Sequence, residues 1–532
     1  MSLSLEMEAT VLHSFLTCPS CRRDYRIETG TFGCPGIRPP EEHILRRVLS
    51  SGSEVSDCIR SSWAAGSRRT CDVLRHTLSA YHLLGQDLYS DVLDGVAEQL
   101  LAMEGRDFNV TPLTEKPNLA SAVGRTGRLW IKDETGNVTG SHKGRHLMAT
   151  LLYLEALREL RGESAKKVLA IYSCGNAALG ASAVARAGGY ELHAFVPEDV
   201  DPTVAVMLME RQALVERIPR STTGQGDPCY LAFRKALNER GWVPFACAGN
   251  DNWSNIEGGA TLGWELVMQL LEESRTIDSV VVQVGGGALA RAIAQAFEEA
   301  YQMGTIAAMP RIHACQPEGG FPFVRAYYLA LLEIACGSGL AFDLSYDHTA
   351  EPKVQLAALI DFAHTGSDQV RQTAEFAQLS FDSPAVQSIL KDLLRQPGRF
   401  MWPWDGATPH SLAHGILDDF TYDWYYLLEA LLRTGGRAEV LREETIRYAH
   451  EAAQLHTGIP VCATGAAGLA GLIQLTNSGA VDPSESVGLF FTGFDRSKLL
   501  KCDFLTKSEE STTKITKDTK KKTGTKDMRN EP

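Results

Sequence analysis

The sequence predicts an α/β protein: mostly parallel twisted sheets flanked by helices, with a mainly helical insertion and a ribbon-like, cysteine-bearing N-terminal segment. Three observations predict it. Short β-branched or apolar runs pass through Gly-containing turns into Ala/Leu-rich helices, as in VLAIYSCGNAALGASAVARAGG (168–189), the run ELHAFVPEDV (191–200) and SVVVQVGGGALARAIAQAFEEA (279–300), which is the βα alternation of a parallel sheet. That rhythm stops over 325–405, where LAALIDFAHTG and AVQSILKDLLRQPG read as helix. Finally, 532 residues exceed the about 250–300 that one core accommodates.

In chain order, residues 1–40 form the ribbon-like segment, with CPSC (Cys18, Cys21) and then Cys34 before Pro-Gly. These resemble the two knuckles of a zinc ribbon, and Cys18, Cys21 and Cys34 are candidate ligands. Ile37 stands where a second CxxC would end, so the fourth ligand a tetrahedral site needs must come from elsewhere, for example His43 or Cys58. The alternative is a degenerate ribbon of reduced thiols. Residues 41–108 read as helices, with Ile44, Val48, Leu83, Leu84, Leu88, Val92 and Val96 at helical spacing. The helical insertion is expected from 325–405. Residues 505–532 carry lysines and little to bury, and read as a disordered basic tail.

Composition narrows the function. With 52 Lys and Arg against 65 Asp and Glu the net charge is −13, the wrong sign for wrapping nucleic acid or an anionic membrane. A small molecule is the expected partner. The 12 cysteines are dispersed rather than dense, and no signal peptide or membrane span is evident, so a reducing, cytoplasmic location is expected.

Four segments could carry chemistry. In LWIKDETGNVTGSHKGRHLMA (129–149) a strand leads through a polar turn to a helix beginning near Lys143. The helix start's positive potential favours the free amine that attacks a carbonyl. In IYSCGNAALG (171–180) the turn brings Ser173, Cys174, Gly175 and Asn176 to a helix start, where N–H groups receive a carboxylate and the Asn amide donates. VVVQVGGGALARAI (280–293) places Gly285, Gly286, Gly287 and Ala288 where a helix begins, a cradle for a phosphate. It also satisfies GxGxxA through Gly285, Gly287 and Ala290, but the acid a dinucleotide site needs is offered only by Glu318, too far on, so a lone monophosphate fits better. In IPVCATGAAGLAGLI (459–473) Thr464 could meet a heteroaromatic nitrogen. Each segment alone also reads as an ordinary βα turn or as close packing.

Taken in order, with TPL (111–113), NIEGGATLGWE (255–265), QPEG (316–319) and SLAHGI (411–416), they resemble the fold-type II pyridoxal-phosphate enzymes, the tryptophan synthase β-like family, and within it threonine synthase and its relatives. The resemblance implies a two-lobed body, with a large lobe from 109–155, 252–324 and 406–504 and a small lobe from 156–251. It also implies that Lys143 carries the cofactor covalently and moves the Cα proton, that the 285–288 loop binds its phosphate, and that Asn176 donates to its ring O3′. His142 would lie beside the ring, Thr464 would face the pyridine nitrogen, and Ser141 with the 173–176 loop would hold the substrate carboxylate. A hydroxyl makes the ring a weaker electron sink than a carboxylate would, which suits elimination or replacement and argues against aminotransfer.

The implied function is a lyase working by β- or γ-elimination or replacement on a small amino acid, threonine synthase-like, in a homodimer. The alternatives are a serine or threonine dehydratase or other ammonia-lyase, and a non-catalytic protein that binds cofactor or a partner. This chain departs from the family pattern at His142 (for Phe), Gly144 (for Asp) and Val138 (for Pro), and in its GGGA loop. Arg145 and His146 are the candidates for holding a phosphorylated substrate.

Overall fold

The computed structural model describes residues 14–37, 41–49, 53–173, 175–219, 226–401 and 409–497. The basic tail and Cys174 lie outside the described residues. Among those described, the strands form three sheets. The first is antiparallel, in the order β2-β1-β3, from β1 (Ser14–Thr17), β2 (Asp24–Arg26) and β3 (Arg46–Leu49). The ribbon therefore runs to Leu49 instead of ending at 40, and Val48 lies on a strand where a helix was expected. An inward-facing charge hides the period-two pattern: Arg47 is buried with Leu49, its guanidinium 2.9 Å from Glu257 and 2.7 Å from Glu299. Helices Ser53–Ala64, Ser79–Leu84 and Gln86–Glu104 follow. The last of these buries Tyr89, Leu93, Val96 and Leu100 and leaves Leu88 exposed.

The large-lobe sheet starts with β4 (Leu113–Glu115) and β5 (Leu129–Asp133). The chain then leaves to build the small lobe, a parallel sheet ordered β8-β7-β6-β9 from β6 (Leu169–Tyr172), β7 (Leu192–Pro197), β8 (Leu214–Ile218) and β9 (Val243–Pro244). It returns through β10 (Ser279–Gln283), β11 (Arg311–Pro317), β12 (Ala438–Leu441) and β13 (Val487–Phe491). The six-stranded order is β12-β11-β10-β13-β5-β4, parallel except for the β4–β5 pair. β10 and β13 are buried at every position, as central parallel strands covered on both faces must be. Val280 and Val282 enter a core with Trp264 and Ile293, while Val281 enters another with Leu469 and Leu472.

The expected insertion begins later in packing terms than residue 325. Helix Pro322–Ser338 is core, with Phe323, Tyr327 and Leu331 fully buried, and only then do Pro352–Thr365, Ser367–Leu379, Pro384–Arg395 and Pro397–Met401 follow. No helix among the described residues is long and apolar enough to cross a membrane.

A buried charge network ties β5 and the turn after it to helices Lys143–Arg161 and Ser254–Glu272. Lys132 Nζ on β5 meets Glu265 at 2.7 Å, and Arg145 meets Glu265 at 2.6 Å and Glu134 at 2.7 Å. Thr111 donates to Glu134 at 2.5 Å. Two cations and two carboxylates leave the cluster neutral, which is the condition for keeping charges out of water.

Candidate active site

The open α/β rule puts ligands beyond the carboxyl ends of parallel strands, and the sequence-predicted residues lie there. From β5 the chain turns through a 3₁₀ segment, Val138–Gly140, with Thr139 (φ 57°) and Gly140 (φ 71°) in the left-handed region. Ser141 then bridges to Gly493 just past β13, and Lys143, half-buried, opens helix Lys143–Arg161. Gly144 has a steric reason: a Cβ there would sit 2.6 Å from Phe108 Cζ. Gly180 of helix Asn176–Ala187 abuts the same root, since its own Cβ would come within 2.9 Å of Gly144 N.

Asn176 begins that helix. Its Oδ1 accepts from Arg496 Nη1 at 2.7 Å, and Arg496 also donates to the Thr139 carbonyl, so the Asn176 NH₂ is the group left to donate outward. Ser173 Oγ accepts from Gly175 N at 3.3 Å. From β10, Gly285–Gly287 lead into helix Ala288–Gln302, with Gly287 at φ 92°. Side chains at these glycines would strike Asp418, Tyr422 and Thr421, at 2.6, 3.1 and 2.9 Å for positions 285, 286 and 287. The loop's carbonyls are already taken, Gly285 O by Thr421 Oγ1 at 2.9 Å and Gly286 O by Asp423 N at 2.9 Å. Thr464 lies in the first turn of helix Ala463–Asn477, and its Oγ1 accepts from Gly415 N at 3.1 Å. Gln283 Nε2 stitches these pieces together, donating to Gly465 O, Phe490 O and Thr492 Oγ1.

Lys143 is the charge that the surrounding groups feel. Burial and Lys143 hold His142 far below the ordinary histidine value and His146 down to about 3, so both rings are neutral. Burial pushes the Cys247 thiol up to about 11, keeping it protonated. Burial raises the Asp418 carboxyl to about 6 against the opposing pull of Lys143 and of the Gly286 backbone. A tyrosine wall crosses from small lobe to large, with Tyr172 and Tyr422 rings 5.5 Å apart and Tyr230 and Tyr422 5.1 Å apart.

Two expectations need correction. Arg145 is consumed by Glu134 and Glu265, and neutral His146 is buried with its Nδ1 2.9 Å from Asn255 O. Neither is available to a phosphorylated substrate. Sequence reading missed Arg496, Asp418 and Tyr422. Arg496 was the findable one, because it follows β13 in the FFTGFDR run and the strand-end rule applies to that strand too.

Residues 106–351 match the family described as pyridoxal-phosphate dependent enzyme. Threonine synthase of Synechocystis is 26% identical over 215 residues, 40% of this chain, and the chain spans about half (52%) of that relative's length. Diaminopropionate ammonia lyase from Escherichia coli is a structural neighbour with TM-score 0.50 and 14% identity, covering 78% of this chain and 91% of its own. Maize serine racemase gives TM-score 0.49 and 16% identity over 80% and 98%. Residues 106–351 are therefore similar to that family, and the body shares the fold of diaminopropionate ammonia lyase.

Proposed function

We propose that the chain is a pyridoxal-phosphate-dependent lyase that acts on a small amino acid by β- or γ-elimination or replacement. One observation carries this reading: Lys143, Asn176 and the Gly285–Gly287 loop follow β5, β6 and β10 into the starts of three helices, and Thr464 opens a fourth helix whose entry, Val461, bridges to Phe494 just past β13. The residues fit the cofactor. The glycine loop leaves no room for side chains, and with the Gly285 and Gly286 carbonyls taken by Thr421 and Asp423 its N–H groups are what it offers an anion.

Gly285–Gly287 and Ala288 would hold the phosphate, Asn176 Nδ2 would donate to the phenolic oxygen, and neutral His142 would pack beside the ring. When bound, pyridoxal phosphate supplies an electron-accepting ring conjugated to the substrate amino group. Lys143 takes the Cα proton and returns one as the leaving group departs. Ser141 Oγ is buried without a partner and is available, with Ser173 and Gly175, to a substrate carboxylate. Because Thr464 Oγ1 already accepts from Gly415 N, its own proton is free to donate to the pyridine nitrogen. That keeps the nitrogen unprotonated and favours prompt loss of a leaving group over transamination.

The committed state of Arg145 and His146 favours an unphosphorylated substrate, hence ammonia-lyase or dehydratase chemistry over the threonine synthase-like reaction. The test is product analysis. Oxoacid and ammonia from serine, threonine or diaminopropionate are expected. Inorganic phosphate from O-phosphohomoserine would return the reading to threonine synthase-like chemistry, and no product with any of them would overturn the lyase reading.

Asp418 gives a sharper prediction. A carboxylate at the phosphate cradle repels the phosphate once ionised, and its raised value of about 6 sets where that happens. Asp418→Asn is expected to bind pyridoxal phosphate about tenfold tighter above pH 7, with the advantage disappearing below about pH 5. Fluorescence titration across pH checks it; equal affinities at every pH would remove Asp418 from the cradle.

A further inference from the structure

The ribbon holds a second constellation that the proposed chemistry does not use. Cys18 follows β1, Cys21 lies in the turn before β2, Cys34 sits in the next turn, and His43 precedes β3. Their donor atoms all lie within 4.8 Å of one another. Cys21 Sγ and Cys34 Sγ are 3.7 Å apart, and His43 Nδ1 is 3.6 Å from both Cys18 Sγ and Cys34 Sγ. A disulfide would need the sulfurs at about 2.05 Å. A tetrahedral zinc ion, with Zn–S about 2.3 Å and Zn–N about 2.0–2.1 Å, sets S···S near about 3.75 Å and S···N near about 3.55 Å. The observed spacings match the second geometry.

We propose that Cys18, Cys21, Cys34 and the Nδ1 of His43 bind one zinc ion as a closed, structural Cys₃His site. The outer shell is built for it. Glu41 Oε2 lies 3.4 Å from His43 Nε2, the carboxylate position that fixes which ring nitrogen faces a metal. Tyr25 Oη is 3.4 Å from the sulfurs of Cys21 and Cys34, and Gly36 N donates to Cys34 Sγ. Ile37, where a second CxxC would end, is 42% exposed, and Cys58 is exposed on helix Ser53–Ala64. His43 therefore completes the set that the sequence left short.

A reason for a metal follows from size. The ribbon's own core is little more than Leu16, Ile27 and Leu45 against Tyr153, Leu157 and Trp253 of the body, and so small a unit needs a staple. What the staple steadies reaches the cofactor loop. Leu45 O, two residues from His43, accepts from Arg291 Nη2 at 2.7 Å; Arg291 Nη1 meets Asp423 at 2.6 Å; and Asp423 N donates to Gly286 O.

The test uses the full chain purified under reducing conditions and analysed for metal by plasma mass spectrometry. About one zinc per chain is expected, retained in Cys58→Ser and lost in His43→Ala and Cys34→Ser. Cobalt(II) exchanged into the wild-type chain gives a reading independent of how those two variants fold: intense visible bands of a tetrahedral thiolate site support the proposal. Wild-type protein that holds no zinc after zinc supplementation and shows no tetrahedral cobalt spectrum overturns it. Neither readout depends on turnover, so the result stands apart from the lyase assignment.

Discussion

Glu265→Ala is expected to destabilise the fold by about 3–5 kcal/mol, because it leaves Arg145 and Lys132 buried with half their countercharge gone. Burial alone would raise the Glu265 carboxyl, but Arg145 and Lys132 outweigh it and hold it down to about 2, from an ordinary 4.5. A depressed carboxylate contributes stability above its unfolded value and loses it as pH falls through the folded one. The wild-type chain should therefore shed this contribution progressively below about pH 4.5, and the variant should lack that part of the acid transition. Urea denaturation at pH 7 and at pH 4 measures both effects. A loss under about 1 kcal/mol would mean the network is dispensable. Because Arg145 is two residues from Lys143, cofactor retention should fall along with stability.

Lys143→Ala is expected to lower turnover by about a thousandfold or more with the fold intact. The root of its helix is held by Gly144 against Phe108 and by Arg145 in the network, not by the amine, so circular dichroism and the urea midpoint should stay near wild type. Turnover within tenfold of wild type would assign the proton transfer elsewhere. His142 and His146 are held neutral by burial and are the groups whose substitution would then be examined.

The parts of this molecule legible in its sequence are those encoded locally. A strand, a Gly- or Asn-bearing turn and a helix start fit within twenty residues, so the turns that present Lys143, Asn176 and Gly285–Gly287 are legible from residue types and spacing, whereas the roles proposed for them and for Thr464 come from the resemblance the segments make together. Arg145 shows the limit: a cation two residues from the lysine looks available until its partners Glu134 and Glu265 are known, and the second of these lies 120 residues away. Arg47 is similar, since an inward charge paired with Glu257 and Glu299 breaks the alternation by which β3 would have been recognised. Asp418 and Tyr422 reach the glycine loop only because the chain returns after the helical block, and nothing local marks them. His43 was one of two candidates for the fourth ligand, and folding of β3 against β1 is what separates it from Cys58.

The central claim is that Lys143 carries pyridoxal phosphate in this cleft. Absorption of the purified chain after addition of the cofactor and removal of excess tests it most directly. The account predicts a band near about 410–420 nm that shifts when a substrate amino acid is added and is missing from Lys143→Ala. No band in the wild-type chain, or the same band retained in Lys143→Ala, would contradict it.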